Sequence, residues 1–192
     1  VDRIPGRMDR VDYGQLFTVI VDYAVTPAAF EQLYTAIRQS PVSRIQPPAS
    51  RIIHVFGAAG ERDRGKRPLL GEIAGRRADL VILTDEDPYG EDPERILRDI
   101  EPGLVAAGMR PAVTSGDAAG DGKDVLVGGG WKQFLRIRDR RLAIREALRR
   151  ARPGDIVLVT GKGAEETMAV GPTRIPWNDR QVIEEQLRIL RA

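Results

Sequence analysis

Short apolar stretches rich in β-branched residues alternate along the chain with segments whose apolar residues recur every three or four positions. The first kind predicts strands within residues 16–24, 51–59, 78–84 and 155–160. The second kind predicts amphipathic helices of roughly 10 to 14 residues. This alternation is typical of βαβ units, so it predicts an α/β fold with a mostly parallel sheet and helices on both of its faces.

Helix start signals support this interpretation. Thr26 stands before Pro27, and Asp92, Asp139 and Asp179 stand at the predicted starts of three later helices. A side-chain oxygen at such an N-cap accepts hydrogen bonds from N–H groups that the first helical turn leaves unpaired. Proline at the first helical position sacrifices no hydrogen bond. All four residues are therefore predicted to be N-caps.

The length of 192 residues predicts one domain. Residues 1–14 fall outside the alternating pattern and are predicted to be a linker, which leaves residues 15–192 as the domain. Within it, Gly and Asp interrupt residues 104–135 so often that an exposed loop is expected there.

Composition excludes several kinds of chemistry. The chain has no cysteine and one histidine, His54, so disulfides, thiol catalysis, a zinc site and a Ser-His-Asp system are not predicted. His54 lies mid-strand and is predicted to be a hydrogen-bonded core residue. Trp131 and Trp177 are isolated aromatics and are interpreted as packing residues.

Charge and hydropathy limit the partners. A net charge of +2 is too small for a nucleic-acid-binding face, so no nucleic acid is expected. No apolar run approaches the roughly 20 residues of a membrane-spanning helix, and the first residues do not resemble a signal peptide. A cytoplasmic protein without a membrane partner is therefore expected.

Four polar or glycine-rich segments follow the predicted strands, at residues 21–27, 57–68, 84–93 and 160–166. In an open parallel sheet, ligands bind beyond the carboxyl ends of the strands. The charged residues of these segments include Arg62, Arg64, Lys66, Arg67, Lys162, Glu86, Asp87 and Glu165. Together they suit a zwitterionic or anionic ligand. The alternative is a solvated edge without a binding role, because charged loops are common on α/β domains.

Residues 60–67, "GERDRGKR", come one residue short of a phosphate-binding P-loop. Arg67 stands where that motif needs Ser or Thr to hold magnesium, and charged residues crowd a loop whose backbone N–H groups should cradle phosphates. A P-loop is therefore not predicted here.

Four motifs in sequence order resemble the C-terminal domain of the Mur ligases, most closely the MurE type. That family reads approximately "DYAHTP", "GDRDRGKRP", "DNPRSEDP" and "GKGHE". This chain reads "DYAVTP" (22–27), "GERDRGKRP" (60–68), "EDPYGEDP" (86–93) and "GKGAE" (161–165). Shorter agreements at 6–9, 139–144 and 178–180 extend the resemblance over nearly the whole chain. It implies a Rossmann-like sheet.

The resemblance further implies the last domain of a three-domain, ATP-dependent ligase. Such enzymes add the third amino acid to UDP-N-acetylmuramoyl-L-alanyl-D-glutamate through an acyl phosphate, in peptidoglycan synthesis. The upstream ATPase domain of the same chain is expected to hold most of the contacts to ATP and Mg²⁺. Its partners are then that domain, the amino acid and the UDP-sugar dipeptide, and this fragment alone is expected to be inactive.

Residue roles follow from the motifs in the same way. Arg7 and Asp22 match positions on the nucleotide side. The resemblance assigns amino-acid binding to Arg62, Glu86, Asp87, Tyr89, Gly161 and Glu165. It places no catalytic residue and no metal ligand in this domain.

Three departures from the family pattern change the expected chemistry. Val25 and Ala164 replace motif histidines, which removes two polar contacts, and Tyr89 replaces an arginine of enzymes specific for diaminopimelate. Losing that guanidinium disfavours diaminopimelate. The negative charge of Glu86 and Asp87 would instead suit the second amine of lysine or ornithine.

Two other functions remain open. The chain could belong to a related ligase that makes another amide bond, such as cyanophycin synthetase or folylpolyglutamate synthase. It could also be a non-catalytic α/β binding module. An upstream UDP-sugar-binding domain would distinguish the peptidoglycan ligase from the other amide ligases. An upstream Walker A segment would exclude the non-catalytic binding module.

Overall fold

A computed structural model describes residues 4–39, 51–112 and 132–191. The strands are β1 (Asp9–Val11), β2 (Thr18–Asp22), β3 (Ile52–Phe56), β4 (Leu80–Leu83), β5 (Arg110–Pro111), β6 (Gln133–Arg136), β7 (Ile156–Thr160), β8 (Thr167–Val170) and β9 (Thr173–Pro176). The helices are α1 (Pro27–Gln39), α2 (Lys66–Arg77), α3 (Pro93–Ala106), α4 (Arg140–Arg150) and α5 (Asp179–Arg191). Each of the four strands predicted from the apolar pattern lies within its predicted range.

Seven strands form one sheet in the order β1-β2-β7-β3-β4-β6-β5. Every pair in it is parallel except β1 with β2. The predicted mostly parallel α/β fold is therefore confirmed. Strands β8 and β9 form a separate antiparallel hairpin.

The sheet is covered on both faces because its central strands are apolar on both. In β2, Ile20 belongs to one core cluster, and its neighbours Val19 and Val21 belong to the other. Helices α1, α2 and α3 pack on the Ile20 face, and α4 and α5 pack on the opposite face. Alternate side chains of a strand point to opposite faces, so two layers of helices are needed to bury them.

Three of the four predicted N-caps are confirmed. The side chains of Thr26, Asp92 and Asp139 accept backbone N–H groups of their helices at 3.2, 3.0 and 3.0 Å. The prediction for Asp179 is wrong, because α5 begins at that residue and Asn178 accepts the N–H of Gln181 at 3.0 Å.

His54 is a buried core residue, as predicted. Its Nδ1 lies 2.7 Å from the hydroxyl of Tyr34, and its Nε2 lies 2.9 Å from Oγ1 of Thr160. Burial, with a smaller effect of the Arg140 charge, lowers the pKa of His54 to about 3. The imidazole is therefore neutral at physiological pH and joins α1 to two strands.

Two loop predictions are wrong in part. Residues 9–11 of the expected linker form β1, whose Val11 is buried at the sheet edge. The expected loop at 104–135 contains the end of α3 and the short strands β5 and β6, while residues 113–131, with Trp131, lie outside the described residues. Hydrogen bonds to neighbouring strands order these short segments, although their sequences are only weakly periodic.

In the part of the chain that the structure describes, no helix has both the length and the apolar character needed to cross a membrane.

Candidate functional site

The four predicted loops meet at one edge of the sheet. They follow β2, β3, β4 and β7, which are adjacent in the sheet and run parallel, so their carboxyl ends lie side by side. A cavity of about 650 Å³ opens between the loops. Its lining includes all six residues that the sequence assigned to amino-acid binding: Arg62, Glu86, Asp87, Tyr89, Gly161 and Glu165.

A buried lysine organises the acidic wall of this cavity. Lys162 is 1% exposed, and its Nζ lies 2.7 Å from Oδ2 of Asp87 and also bonds the carboxylate of Glu165. The other oxygen of Asp87 accepts the backbone N–H of Ala169 at 2.7 Å. Each oxygen of Asp87 therefore has a protein partner, and this residue holds the wall together.

Glu86 differs from its neighbour. It is 6% exposed, lines the cavity, and makes no hydrogen bond or ion pair with another described residue. Burial raises the pKa of Glu86 to about 7, although nearby Arg140 and Lys66 lower it. Such a carboxyl can accept a cationic or hydrogen-bond-donating group of a ligand.

Gly161 leaves room for that carboxyl. Its φ is +112°, and a Cβ atom at this position would collide with the side chain of Glu86. Any other residue there would be strained and would displace the carboxyl. The structure therefore explains why glycine is needed at 161.

Arg62 and Tyr89 both line the cavity and lie close to each other. The Arg62 guanidinium lies 6.0 Å from the centre of the Tyr89 ring, at the outer limit of a cation–π contact. Tyr89 has a φ of +49°, and its carbonyl accepts the N–H of Gly171 at 2.8 Å. The hairpin thus fixes the backbone at Tyr89.

The cations of residues 57–68 do not all serve the cavity. Arg67 is fully buried and bonds Glu91 at 2.9 and 2.8 Å and Asp99 at 2.8 Å. The half-exposed Arg64 also pairs with Glu91, at 3.2 Å. Placing Arg67 and Arg64 among ligand-facing cations was therefore wrong, since both cross-link this loop to the region of Glu91. Lys66 does line the cavity.

The two residues assigned to the nucleotide side lie outside the cavity lining. Asp22 is buried, and its carboxylate accepts the N–H groups of Met8 and Ala24 at 2.7 and 2.8 Å. Arg7 is exposed, with its guanidinium 5.1 Å from the centre of the Tyr23 ring. Asp22 therefore anchors the backbone at Met8, whereas the guanidinium of Arg7 is exposed.

Sequence reasoning missed the hairpin. Glu166, Thr167 and Arg174 from this region complete the lining of the cavity. Two short runs with β-branched residues flank Gly171 and Pro172, and that pattern is a hairpin signal that could have been recognised.

The family described as "Mur ligase, glutamate ligase domain" matches residues 6–163. The chain belongs to the Mur ligase family. This Mur ligase domain is 48% identical, over 182 residues, to the UDP-N-acetylmuramyl-tripeptide synthetase of Roseiflexus sp. (strain RS-1), covering 93% of this chain and 31% of that protein.

A second relative is the UDP-N-acetylmuramoyl-L-alanyl-D-glutamate–2,6-diaminopimelate ligase of Geobacter metallireducens (strain ATCC 53774 / DSM 7210 / GS-15). It is 39% identical over 188 residues, which are 98% of this chain and 34% of the relative. A solved structure of a ligase with the same name superposes with a TM-score of 0.75 at 29% identity, covering 100% of this chain and 33% of that one. The Mur ligase domain thus spans about a third of the length of its relatives.

Proposed function

We propose that the full-length protein is an ATP-dependent ligase that adds the third amino acid to UDP-N-acetylmuramoyl-L-alanyl-D-glutamate, and that this cavity binds the incoming amino acid. The observation that carries the proposal is that one cavity contains both the carboxyl of Glu86, which has no protein partner, and the guanidinium of Arg62. An amino acid brings the complementary ammonium and carboxylate groups. The names of the relatives agree with this substrate class.

The chemistry divides between two parts of the full protein. The γ-phosphoryl group of ATP transfers to the substrate carboxylate, which gives an acyl phosphate and ADP. The neutral amine of the amino acid then attacks the acyl carbon, and phosphate and a proton leave as the amide forms. The role of this domain is to hold the amine in line for that attack, which replaces a bimolecular encounter by a positioned one.

The residues of the cavity can perform that positioning. Lys162 holds Asp87 and Glu165 in place, so the acidic wall is formed before the ligand arrives. Burial raises the pKa of Glu86 to about 7, and an ammonium group bound beside it would favour the ionised carboxylate. Arg62 supplies the complementary donors for a carboxylate.

ATP and Mg²⁺ belong mainly to the upstream part of the proposed enzyme. In the described part of the chain, no group of three acidic, histidine or cysteine side chains could hold a metal ion. We assign Arg7 and Asp22 to the nucleotide side because both match family motifs there, and the exposed guanidinium of Arg7 is open to an anionic ligand. Accordingly, we expect the isolated domain to make no amide bond. We expect the full protein to act in the cytoplasm, where peptidoglycan synthesis supports cell shape and division.

The test uses the full-length protein and its Arg62→Ala variant. Loss of a charge-assisted contact to the substrate should raise the KM for the amino acid by roughly 10- to 100-fold. Binding of the UDP-sugar dipeptide should be unchanged. Amino-acid-dependent phosphate release gives the KM, and Arg76→Ala, on the exposed end of α2, is the matched control.

An unchanged KM in the Arg62→Ala variant would remove Arg62 from the site. Activity with a folate or an arginine–aspartate polymer, in place of the UDP-sugar dipeptide, would favour the other amide ligases. Absence of any ATP consumption by the full-length protein would favour a binding module.

A further inference from the structure

Charge is unevenly distributed between the two ends of the sheet. The parallel strands begin, and the helices end, at the end opposite the cavity, which we call the basal end. The last turns of the helices contribute six arginines there: Arg38, Arg76, Arg77, Arg149, Arg150 and Arg188. The strand starts and connecting turns add four cations and three carboxylates: Arg51, Arg110, Lys132 and Arg152, with Asp12, Asp79 and Asp155. The net charge of +2 for the whole chain conceals this separation.

Ion pairs remove only part of the positive excess. Asp155 pairs with Arg51, and three glutamates higher on the helices pair with basal arginines: Glu31 with Arg77, Glu72 with Arg76, and Glu146 with both Arg149 and Arg150. Three other glutamates of these helices pair away from the basal end: Glu101 with Arg136, Glu184 with Arg180, and Glu185 with Arg141. Setting each paired carboxylate against one cation leaves six basal cations against Asp12 and Asp79.

Helix geometry explains some of these cations. A helix C-terminus carries a partial negative charge, which favours a basic residue in the last turn. Lys132 serves the end of α2 in the same way, since its ammonium group donates to the carbonyls of Gly75 and Ala78 at 2.9 Å each. Arg110 and Arg152 are exposed and belong to no helix. The basal end is therefore more basic than its helix ends require.

Exposed apolar side chains lie among these cations. Leu16, in the turn between β1 and β2, is 73% exposed, and Leu190, in the last turn of α5, is 41% exposed. Both line an open hollow of about 390 Å³ between that turn and the ends of α4 and α5. Phe17, Pro153 and Arg149 also line it. The basal end thus presents leucines and arginines side by side.

The partner of such a surface must be apolar and anionic. A second copy would bring the same positive charge, and like charges across an interface repel. A nucleic acid offers phosphates to cations and bases to aromatic side chains, and exposed leucines bind neither. The upstream part of the proposed ligase joins at the other end, since Met8 bonds Asp22, where β2 finishes. An anionic phospholipid bilayer fits both features, because its headgroups attract arginines and its acyl boundary accepts leucines.

We infer that the basal end is a peripheral membrane-docking surface, in which Leu16 and Leu190 enter the acyl boundary of an anionic bilayer and the surrounding arginines bind its headgroups. The inference goes beyond the proposed function, because docking at this end leaves the cavity at the opposite end open to solvent. The expectation of no membrane partner rested on the lack of a spanning segment, and a surface contact needs none.

Sedimentation of the 192-residue chain with phospholipid vesicles tests the inference. Wild-type protein should bind vesicles that contain phosphatidylglycerol at least roughly 10-fold more tightly than vesicles of phosphatidylcholine alone. Binding should weaken between about 0.1 M and about 1 M salt, as the Debye length falls from about 10 to about 3 Å. Leu16→Ser should lower the affinity roughly 10-fold, because a buried apolar side chain is lost. Arg149→Gln and Arg152→Gln should each lower it roughly fivefold.

The matched controls are Leu142→Ser and Arg141→Gln, at the opposite end of α4, where Leu142 is 50% exposed. Both should bind like wild type, and thermal midpoints show that all variants fold. No binding of the wild type to anionic vesicles, an unchanged affinity in Leu16→Ser, or equal losses in the controls would overturn the inference.

Two further outcomes would assign the basal end to another partner and so also overturn the inference. One is tighter binding to a DNA duplex than to anionic vesicles at the same salt. The other is a dimer in sedimentation equilibrium that Leu16→Ser dissociates. Because ligation is not measured, each of these outcomes leaves the proposed function standing.

Discussion

Replacing Glu86 by glutamine should stabilise the domain at alkaline pH, because the native carboxyl is buried without a partner. Burial raises its pKa from the ordinary value of 4.5 to about 7. Each pKa unit corresponds to about 1.4 kcal/mol, so the ionised carboxylate lowers the free energy of unfolding by about 3 kcal/mol. Glutamine has nearly the same shape and carries no charge.

The pH dependence follows from the direction of the shift. The folded state holds the proton more tightly than the unfolded state, so the relative stability is fully present below pH 4.5 and is lost as pH rises through about 7. Wild-type protein and Glu86→Gln should therefore be close in stability at pH 4.5. At pH 8 the variant should be more stable by about 3 kcal/mol.

Urea unfolding of the 192-residue chain at both pH values measures this difference. Glu72→Gln is the control, since Glu72 is partly exposed on α2 and its substitution should have the same effect at both pH values. In the full-length protein, Glu86→Gln should also raise the KM for the amino acid, because the partner of its ammonium group is lost.

Equal stability differences at pH 4.5 and pH 8 would refute the reasoning, since they would show that Glu86 ionises in the folded protein as easily as in the unfolded chain. A less stable variant at pH 8 would show that the carboxylate already has a stabilising partner.

Two further predictions concern the buried residues Arg67 and His54. Arg67→Met should lower the free energy of unfolding by about 3–5 kcal/mol, because it leaves the carboxylates of Glu91 and Asp99 without their buried partner. The control is Arg64→Met, whose guanidinium is half-exposed and also pairs with Glu91. In the same urea experiment it should lower the free energy of unfolding by less than about 1 kcal/mol. The pKa of His54 is about 3 in the folded state against an ordinary 6.5, so its stabilising contribution is present above pH 6.5 and is lost as the pH falls towards 3. Comparing wild type with His54→Gln at pH 7 and pH 4 should show about 3 kcal/mol more acid loss in the wild type, and equal losses would contradict a neutral buried imidazole.

The sequence predicted the central sheet because its strands are buried on both faces. Strands such as β4, "LVIL", are continuous apolar runs, and their order along the chain is that of βαβ units. The convergence of the four loops followed from the same pattern, since parallel strands end at one edge. Edge strands such as β1 were missed because their identity depends on pairing with a neighbour rather than on their own composition.

The charged residues were harder to assign. Arg62 and Arg67 stand five positions apart in one motif, yet Arg62 lines the cavity and Arg67 is buried. Only the fold reveals that Glu91 and Asp99 bond the guanidinium of Arg67. Asp179 was mistaken for a cap for the same reason, because its carboxylate pairs with the buried Arg140 of α4, 39 residues earlier in the chain.

The entering segment has a mechanical consequence. The backbone of Gly6 lies so close to Gly163 and Ala164 that a side chain at position 6 would collide with them. The segment around Gly6 is therefore in direct contact with the turn that carries Lys162 and Glu165. In the proposed full-length ligase, a rotation of this domain about residues 4–8 must either break that contact or move the turn with it. The orientation of the domain and the shape of its acidic wall would then be linked through one glycine.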